Sequence, residues 1–505
     1  MSDVLREFQA LLDGLSAGGS SIEALLRLMP AESAAQLRLC AIPHEFNPGV
    51  LQVLVPGLDL AAAERRCAEF GELSCVIAAP GGLAVRDPTR AELFREWLKP
   101  ERLDEFHQAS SRLVASGDGP ASAAPSAESE ERLHSRMFHL LGADEVRGVA
   151  EFEDLCRRAR RERRLAVCGT LIRLAHEYDP VLTAAHIAML TYHEGKLAAD
   201  RRQWDGAELL FRRVVETPAA PSDVVIKAHL RLGDLAAEQG DFEQAVKQYG
   251  LAQTQSTEWR TVATPRYHIL RSLGEAYRER GDYRQAEQFL TESLDLSRAA
   301  NDTLASADTY NSLGTLYWRC RDVEKATEAY QKSLGSLLDA GWRFQAAQVY
   351  NNLGMVYADG ADWEEAQRAY EQSLEIKRQA DDSLGQARTL TNLVAVYQGQ
   401  QRLEEATEAC LSAIRLFEEV RHLRGLAHAK RTLGRLYLAR DQREAARTAF
   451  SESIELFERQ HAAREAATTR DELATVDARG GIPWWVWVGG LVIVLFVIII
   501  IAASS

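Results

Sequence analysis

Residues 312–334, SLGTLYWRCRDVEKATEAYQKSL, and residues 352–374, NLGMVYADGADWEEAQRAYEQSL, align without a gap at a shift of 40. Outward from this pair the same frame continues. Leu232-Gly233, Leu273-Gly274, Leu313-Gly314, Leu353-Gly354, Leu393-Val394 and Leu433-Gly434 follow one another at intervals of 41, 40, 40, 40 and 40 residues. A small residue recurs at a fixed offset from each (Ala245, Ala286, Ala326, Ala366, Ala406, Ala446). Another stands seven further on (Ala252, Ser293, Ser333, Ser373, Ala413, Ser453). Tyr277, Tyr317, Tyr357, Tyr397 and Tyr437 sit three after the Gly or Val. Six units therefore share one template of two helices, each helix too short to bury its apolar face alone, so that neighbours must stack. Gly and Ala mark close approach of helix backbones. The side chain four after each Ala (Tyr249, Leu290, Tyr330, Tyr370, Cys410, Phe450) fills the space between.

These residues resemble the tetratricopeptide repeat in its 40-residue form, as in kinesin light chains. The fifth unit departs from the pattern with Val394 for Gly and Cys410 for the aromatic. No unit has the closing Pro of the family, which predicts a longer second helix. A worn unit precedes the six, with Gly195, Ala207 and Phe211 at the same offsets. The resemblance implies that the first helix of each unit faces a bound peptide. Here that selects Arg271, Asn311, Asn351, Asn352 and Asn392, with Trp318 and Arg319 further along one helix. An amide offers donors and an acceptor to an extended backbone; the competing reading is that these amides bond to the adjacent unit.

The chain has 505 residues, 46% hydrophobic and 26% charged, so most of it folds, as more than one core. Its 73 acidic against 59 basic residues give a net charge of −14, which argues against nucleic acid as a partner. Seven scattered cysteines without a CxxC pair suit a reducing compartment and read as small buried hydrophobes. The run Arg157, Arg158, Arg160, Arg161, Arg163 and Arg164 lies on one helix face near Glu151, Glu153, Asp154 and Glu162. It reads as a solvated polar face, with anionic lipid headgroups as the alternative.

Before the array, residues 22–38 and 59–70 read as helices and LSCVIAAPGGLAVRD as a β-hairpin turned by Gly81 and Gly82, after which Asp87-Pro88 opens a helix with Asp87 as its cap. Together with AIPHEFNPGVLQVL and PTRAELFREWL, this stretch resembles the winged helix that follows the nucleotide-binding core of STAND-type signalling ATPases. That family closes the wing with His-Asp, where this chain has Arg86-Asp87. It also needs a GxxxxGK[ST] phosphate cradle, which this chain lacks. HExxH, GxSxG and GxGxxG are absent too, so the expectation is a non-enzyme with no metal and no cofactor.

At the far end WWVWVGGLVIVLFVIIIIAA (484–503) runs 20 residues without a charge, the span of a bilayer core of about 30 Å, with Trp484, Trp485 and Trp487 as its interfacial aromatics. The expected fold class is mainly α: a right-handed α-solenoid of tetratricopeptide repeats with a small winged-helix-like α+β head and one C-terminal transmembrane helix. The expected division is a head over 1–114, a linker over 115–131, a helical region over 132–225, six repeats over 226–465, a juxtamembrane joint over 466–483 and the membrane helix over 484–503. The functional expectation is a membrane-tethered adaptor, single-pass, with its bulk on the cytoplasmic side, in the cytoplasmic membrane of a bacterium. Its partners would be a protein or peptide and the lipid bilayer, with self-association left open. The alternative is a regulatory or sensory subunit working with a separately encoded effector.

Overall fold

The computed structural model describes residues 21–117, 130–258 and 265–478. These fall into two bodies that divide near residue 240, and each is described by itself.

The first body opens with α1 (Ser21–Leu28), α2 (Ala31–Leu39), α3 (Pro48–Leu54) and α4 (Leu60–Gly71). The expected helix over 22–38 is two helices because Pro30, which donates no backbone N–H, stands between them. Strands β1 (Val76–Ala79) and β2 (Gly82–Val85) form the expected hairpin, antiparallel with Val76 opposite Val85 and Ala79 opposite Gly82. Gly82 has a φ of 137° and a Cβ there would lie 2.6 Å from the Phe46 carbonyl oxygen, so the turn requires glycine. That carbonyl accepts from the Leu83 N–H at 2.8 Å and extends the hairpin by one bridge. Helix α5 (Asp87–Trp97) begins one residue earlier than its sequence suggested. Arg86 is the cap, without a side-chain bond, and Asp87 lies in the first turn, where its charge suits the helix dipole.

A short 3₁₀ turn leads to α6 (Leu103–Gly117), followed by α7 (Glu130–Ala143), α8 (Glu145–Arg161), α9 (Leu165–His176), α10 (Ala184–Asp200), α11 (Trp204–Glu216) and α12 (Ser222–Glu238). The expected separation of head from helical region does not hold in the packing. One core runs through Phe94, Trp97, Phe106, Phe138, Phe152 and Tyr178. Arg90, 6% exposed, bonds Glu177 Oε2 at 2.8 Å, and His44 lies 2.9 Å from the other oxygen of that carboxylate. A Cβ on Gly142 would strike Ser110 and Phe106, so α6 and α7 meet closely although the stretch 118–129 joining them lies outside the described residues.

The second body begins with α13 (Phe242–Glu258) and continues with α14 (Arg266–Arg280), α15 (Tyr283–Ala299), α16 (Thr303–Arg319), α17 (Val323–Asp339), α18 (Arg343–Asp359), α19 (Trp363–Gln379), α20 (Ser383–Gly399), α21 (Leu403–Glu419), α22 (Leu423–Ala439), α23 (Arg443–Arg459) and α24 (Ala463–Ala478). From α15 to α23 every helix has 17 residues and every turn three, so the 40-residue period is two equal halves. The second helix is thus no longer than the first. Gly281, which opens the two-residue turn before α15, and the middle residue of each later turn lie in the left-handed region: Asn301, Arg321, Gly341, Ala361, Asp381, Gln401, Arg421, Asp441 and His461. The Asp322 N–H then reaches back to the Tyr317 carbonyl at 2.9 Å, and equivalents repeat along the body, which satisfies the last carbonyls of each helix.

The small-residue template has its expected role. A Cβ on Gly314, Gly354 or Gly434 would lie 2.7–2.8 Å from the ring of Tyr330, Tyr370 or Phe450. Gly195 meets Phe211 in the same way in the first body, so the worn unit is built like the others. Ser293, Ser333, Ser373 and Ser453 donate to the carbonyls of Tyr267, Ala307, Ala347 and Ala427 at 2.7–2.8 Å and tie the two helices of a unit together.

Two expectations about the C-terminus are corrected. The joint over 466–483 is largely helical: α24 seals the last repeat with Ala466 against Ala427 and Phe457, and with Leu473 and Val476 against Phe450. It read as polar because an end helix needs one thin apolar stripe. The fold class loses its transmembrane helix, since no helix of the described residues is long and apolar enough to cross a membrane. The stretch 484–503, with Trp484, Trp485 and Trp487, lies outside the described residues. The expected single-pass membrane localisation and the bilayer as a partner have no spanning helix among the described residues to carry them.

Candidate functional site

Every sequence-selected residue of the array lies on a first helix, and each is engaged by a side chain nearby, in most cases one from the neighbouring unit. Asn352 Nδ2 donates to Asn311 Oδ1 at 2.9 Å, and Asn392 Nδ2 donates to Asn351 Oδ1 at 3.1 Å. The spacing is 41 residues in both cases, so these amides form a ladder from α16 through α18 to α20. Trp318 Nε1 donates to Asp359 at 2.7 Å, and Arg319 bonds Glu279 at 2.9 Å. Arg271 bonds Glu275 at 2.9 Å one turn along its own helix, and Ser312 of the next unit donates to the same Glu275 oxygen at 2.6 Å. Of the two readings of the amides, the bond to the adjacent unit is therefore present. Asn351 is 9% exposed and belongs to the interior, whereas Asn311, Asn352, Asn392 and Trp318 are half-buried and Arg319 is exposed.

The ladder has a polar continuation that sequence reasoning missed. Thr389, buried, donates towards Asn351 Oδ1 at 3.4 Å and receives the Lys377 ammonium at 2.8 Å. Lys377 is 6% exposed, and burial lowers its pKa although Asp382 works against this. In the unit before, Leu337 holds the equivalent place, and in the unit after, Phe417. At the end of the array Arg431 and Arg435 both grip Glu472, 41 and 37 residues away. Burial raises the Glu472 carboxyl, but the bonds from Arg435 and Arg431 outweigh it and hold the group at about 2. A signal for these pairs was present in the sequence, because Glu472 occupies the ladder position of Asn352 and Asn392, three and two units on.

The same spacing runs through the first body. His186 lies 2.6 Å from Glu145, His193 lies 3.3 Å from Glu153, and Arg160 bonds Asp200 at 2.7 Å, at separations of 40 or 41 residues. Helix α8 thus occupies the place of a first helix. The basic run sits at its end with Arg157 and Arg158 on Asp154 and Arg164 on Glu162, which is the solvated, balanced face.

An open cleft of about 790 Å³ lies between α21 and the α22–α23 turn, lined by Glu404, Thr407, Leu411, Tyr437, Arg440 and Arg443 among others. None of the sequence-selected residues lines it. Among the described residues no group of three or more His, Cys, Asp or Glu side chains could hold a metal ion.

With this geometry in hand, comparison with known proteins gives the class first. The tetratricopeptide repeat model matches residues 223–299, 265–339, 345–419 and 385–459, so the array consists of tetratricopeptide repeats. Among solved structures, the STAND protein with a tetratricopeptide repeat sensor from Pyrococcus horikoshii aligns at 16% identity with a TM-score of 0.56. The alignment covers 93% of this chain and 64% of that one, so this chain spans less than two thirds of that protein, and the likeness is one of fold. A Rap protein in complex with Competence and Sporulation Factor aligns at 12% identity over 77% of this chain and 96% of that one, TM-score 0.44. The nearly identical TPR-like repeats of a kinesin-light-chain-type protein from Podosopora anserina align at 16% identity over 39% and 99%, TM-score 0.35. No curated protein matches the sequence.

Proposed function

We propose that this chain is a non-catalytic adaptor or scaffold whose repeats hold a protein or peptide along their first helices. The observation that supports it is the state of the amide ladder. Asn311 accepts at Oδ1, and its Nδ2 makes no hydrogen bond among the described residues; Asn392 donates at Nδ2, and its Oδ1 accepts none there. A fixed donor and a fixed acceptor on half-buried positions of nearby first helices suit an extended backbone. Trp318, held by Asp359, adds aromatic surface beside them.

The test is crosslinking and pull-down in the native cell with wild type and with Asn311→Ala/Asn392→Ala. Capture of the main partner should drop about tenfold while stability changes by about 1 kcal/mol or less, as for a few partly exposed polar groups. Equal capture by both proteins would move the binding surface elsewhere.

A second reading, a sensory subunit acting with a separate effector, draws on the order of parts. A winged-helix-like head of helices and a hairpin precedes the repeats, and a STAND protein with a tetratricopeptide repeat sensor has a similar fold. Neither reading expects nucleotide binding, because the phosphate cradle is missing and Arg86 stands where the related motif has His. Hydrogen exchange in β1 and β2 separates the two readings: partner binding should leave it unchanged for an adaptor and alter it for a sensor.

A further inference from the structure

The first repeat-like helix pair differs from later pairs at the point of closest helix approach. Gly195, Gly314, Gly354 and Gly434 are each the twelfth residue of their helix, and Ala207, Ala326, Ala366 and Ala446 follow twelve residues on. At Gly274, which has the same relation to Ala286, a Cβ would lie 3.2 Å from the Ala286 carbonyl oxygen, which shows how near the two backbones come. In the first pair the twelfth residue of α8 is Cys156, and twelve further on, in α9, stands Cys168. Two thiols thus project into a space sized, in the later pairs other than that of Val394 and Ala406, for a hydrogen atom and a methyl group. Their sulfurs are 3.6 Å apart and both residues are 0% exposed.

From this geometry we infer that Cys156 and Cys168 are a modification site, oxidised by a peroxide to a disulfide that clips α8 to α9. The chemistry balances. The Cys168 thiolate attacks one peroxide oxygen, the O–O bond breaks, and the departing hydroxide takes up a proton as water, leaving a sulfenic acid on Cys168. Cys156 sulfur then attacks the sulfenic sulfur, the S–O bond breaks, and the hydroxide leaves as a second water with the Cys156 proton. Two thiols and one hydrogen peroxide give one disulfide and two waters, and the two electrons pass from sulfur to peroxide oxygen. The surroundings favour Cys168 as the attacking thiol. The neighbouring Cys156 thiol and the positive charges of Arg160 and Lys196 hold its pKa down against burial and the opposing Asp200 charge. Lys196, depressed by burial to about 8, keeps much of its charge near neutral pH. Because both sulfurs are covered, peroxide reaches them when α9 parts from α8, so the reaction is slow compared with that of the exposed Cys320.

The experiment treats the full-length protein with a modest excess of hydrogen peroxide, blocks remaining thiols under denaturing conditions, and digests without reductant. The expected product joins the peptide holding Cys156 to the peptide holding Cys168, lighter by two hydrogens than their sum and separated again by dithiothreitol. In the oxidised protein, amide exchange across Leu165–His176 should slow severalfold. Cys168→Ala installs the residue that later units carry, so the variant should keep its helicity while losing both the link and the slowing. Cys156 and Cys168 remaining fully blockable while Cys320 is oxidised would overturn the inference, as would sulfinic acid at either residue in place of the link.

Discussion

The fifth repeat and its neighbours are built on the same frame but solve the same packing problem in opposite ways. In the third, fourth and sixth units glycine stands against a large ring: Gly314 against Tyr330, Gly354 against Tyr370, Gly434 against Phe450. In the fifth, Val394 and Cys410 are both buried, at 1% and 2% exposure, so bulk has moved from the second helix to the first. The exchange keeps volume roughly constant, which a dense core tolerates better than a change on one side alone. The fifth unit also lacks two polar ties. Ala413 stands where Ser333, Ser373 and Ser453 donate across the helix pair. Its ladder position towards the sixth unit pairs Thr391 with Thr432, whose hydroxyls turn to carbonyls of their own helices. Two residues that each break the pattern are thus consistent when read together, and the difference teaches that the template is a rule about pairs.

The largest effect should come from moving the fifth unit's solution into the fourth. Gly354→Val places branched carbon where the Tyr370 ring lies 2.8 Å from a single added Cβ, and should cost about 3 kcal/mol in urea denaturation. Adding Tyr370→Cys should recover more than half of that loss. Additive losses in this double-mutant cycle would break the pairing rule.

Removing a strong rung tests whether ladder bonds matter where they exist. Glu472→Gln, at the junction of the sixth unit with α24, should cost about 2 kcal/mol at neutral pH after allowance for its remaining exposure. Its folded pKa of about 2 lies below the ordinary 4.5, so the contribution is fully present above 4.5 and fades as pH falls towards 2. Wild type and variant should therefore converge in acid, and a gap that persists there would assign the loss to packing.

Lys377 sits on the face the fourth unit turns to the fifth, at the place of Leu337 and Phe417. Lys377→Leu should stabilise the chain by about 1 kcal/mol, since a buried charge without a carboxylate partner in hydrogen-bond contact is costly. Burial lowers this amine's pKa below its ordinary 10.5, so the unfolded chain binds the extra proton and wild-type stability gains from this group as pH rises towards 10.5. The variant should lack that gain, measured by thermal melts between neutral pH and about 10.

The smallest effects complete the fifth unit. Ala413→Ser should add the missing tie to the Ala387 carbonyl and stabilise by about 0.5–1 kcal/mol. Gln401→Gly, at a φ of 62°, should give a similar gain by relieving a left-handed residue. Equal melting temperatures for wild type and both variants would show that the turns and the Ser position carry no strain.

Much of this was legible in the sequence. Gly195 with Phe211 announced an earlier unit, the glycines of Pro80-Gly81-Gly82 announced the hairpin turn, and the ladder residues were chosen from their place before the glycine. Other features were hidden. Residues 1–114 read as a head separate from the helical region, yet Arg90 reaches Glu177 across 87 residues. The polar text of 466–478 concealed a helix because a cap shows one side to the array and the other to water. Cys156 and Cys168 look scattered until the frame of the repeats is extended back over α8 and α9.

What the sequence by itself determined is the local frame: repeat period, turn position and the small residue at each close approach. These are set within about 40 residues of chain, by period, glycine and the short range of backbone sterics. What only the tertiary structure decided is which polar group each side chain meets. Whether Asn351 offers itself to a ligand or turns inward to Asn392 and Thr389 depends on how two units stack. A repeat period fixes which positions face each other across that junction. The hydrogen-bonding state of the groups there follows from distances and burial that arise once the units are in contact, where an unpaired polar group is costly and each amide takes the partner within reach.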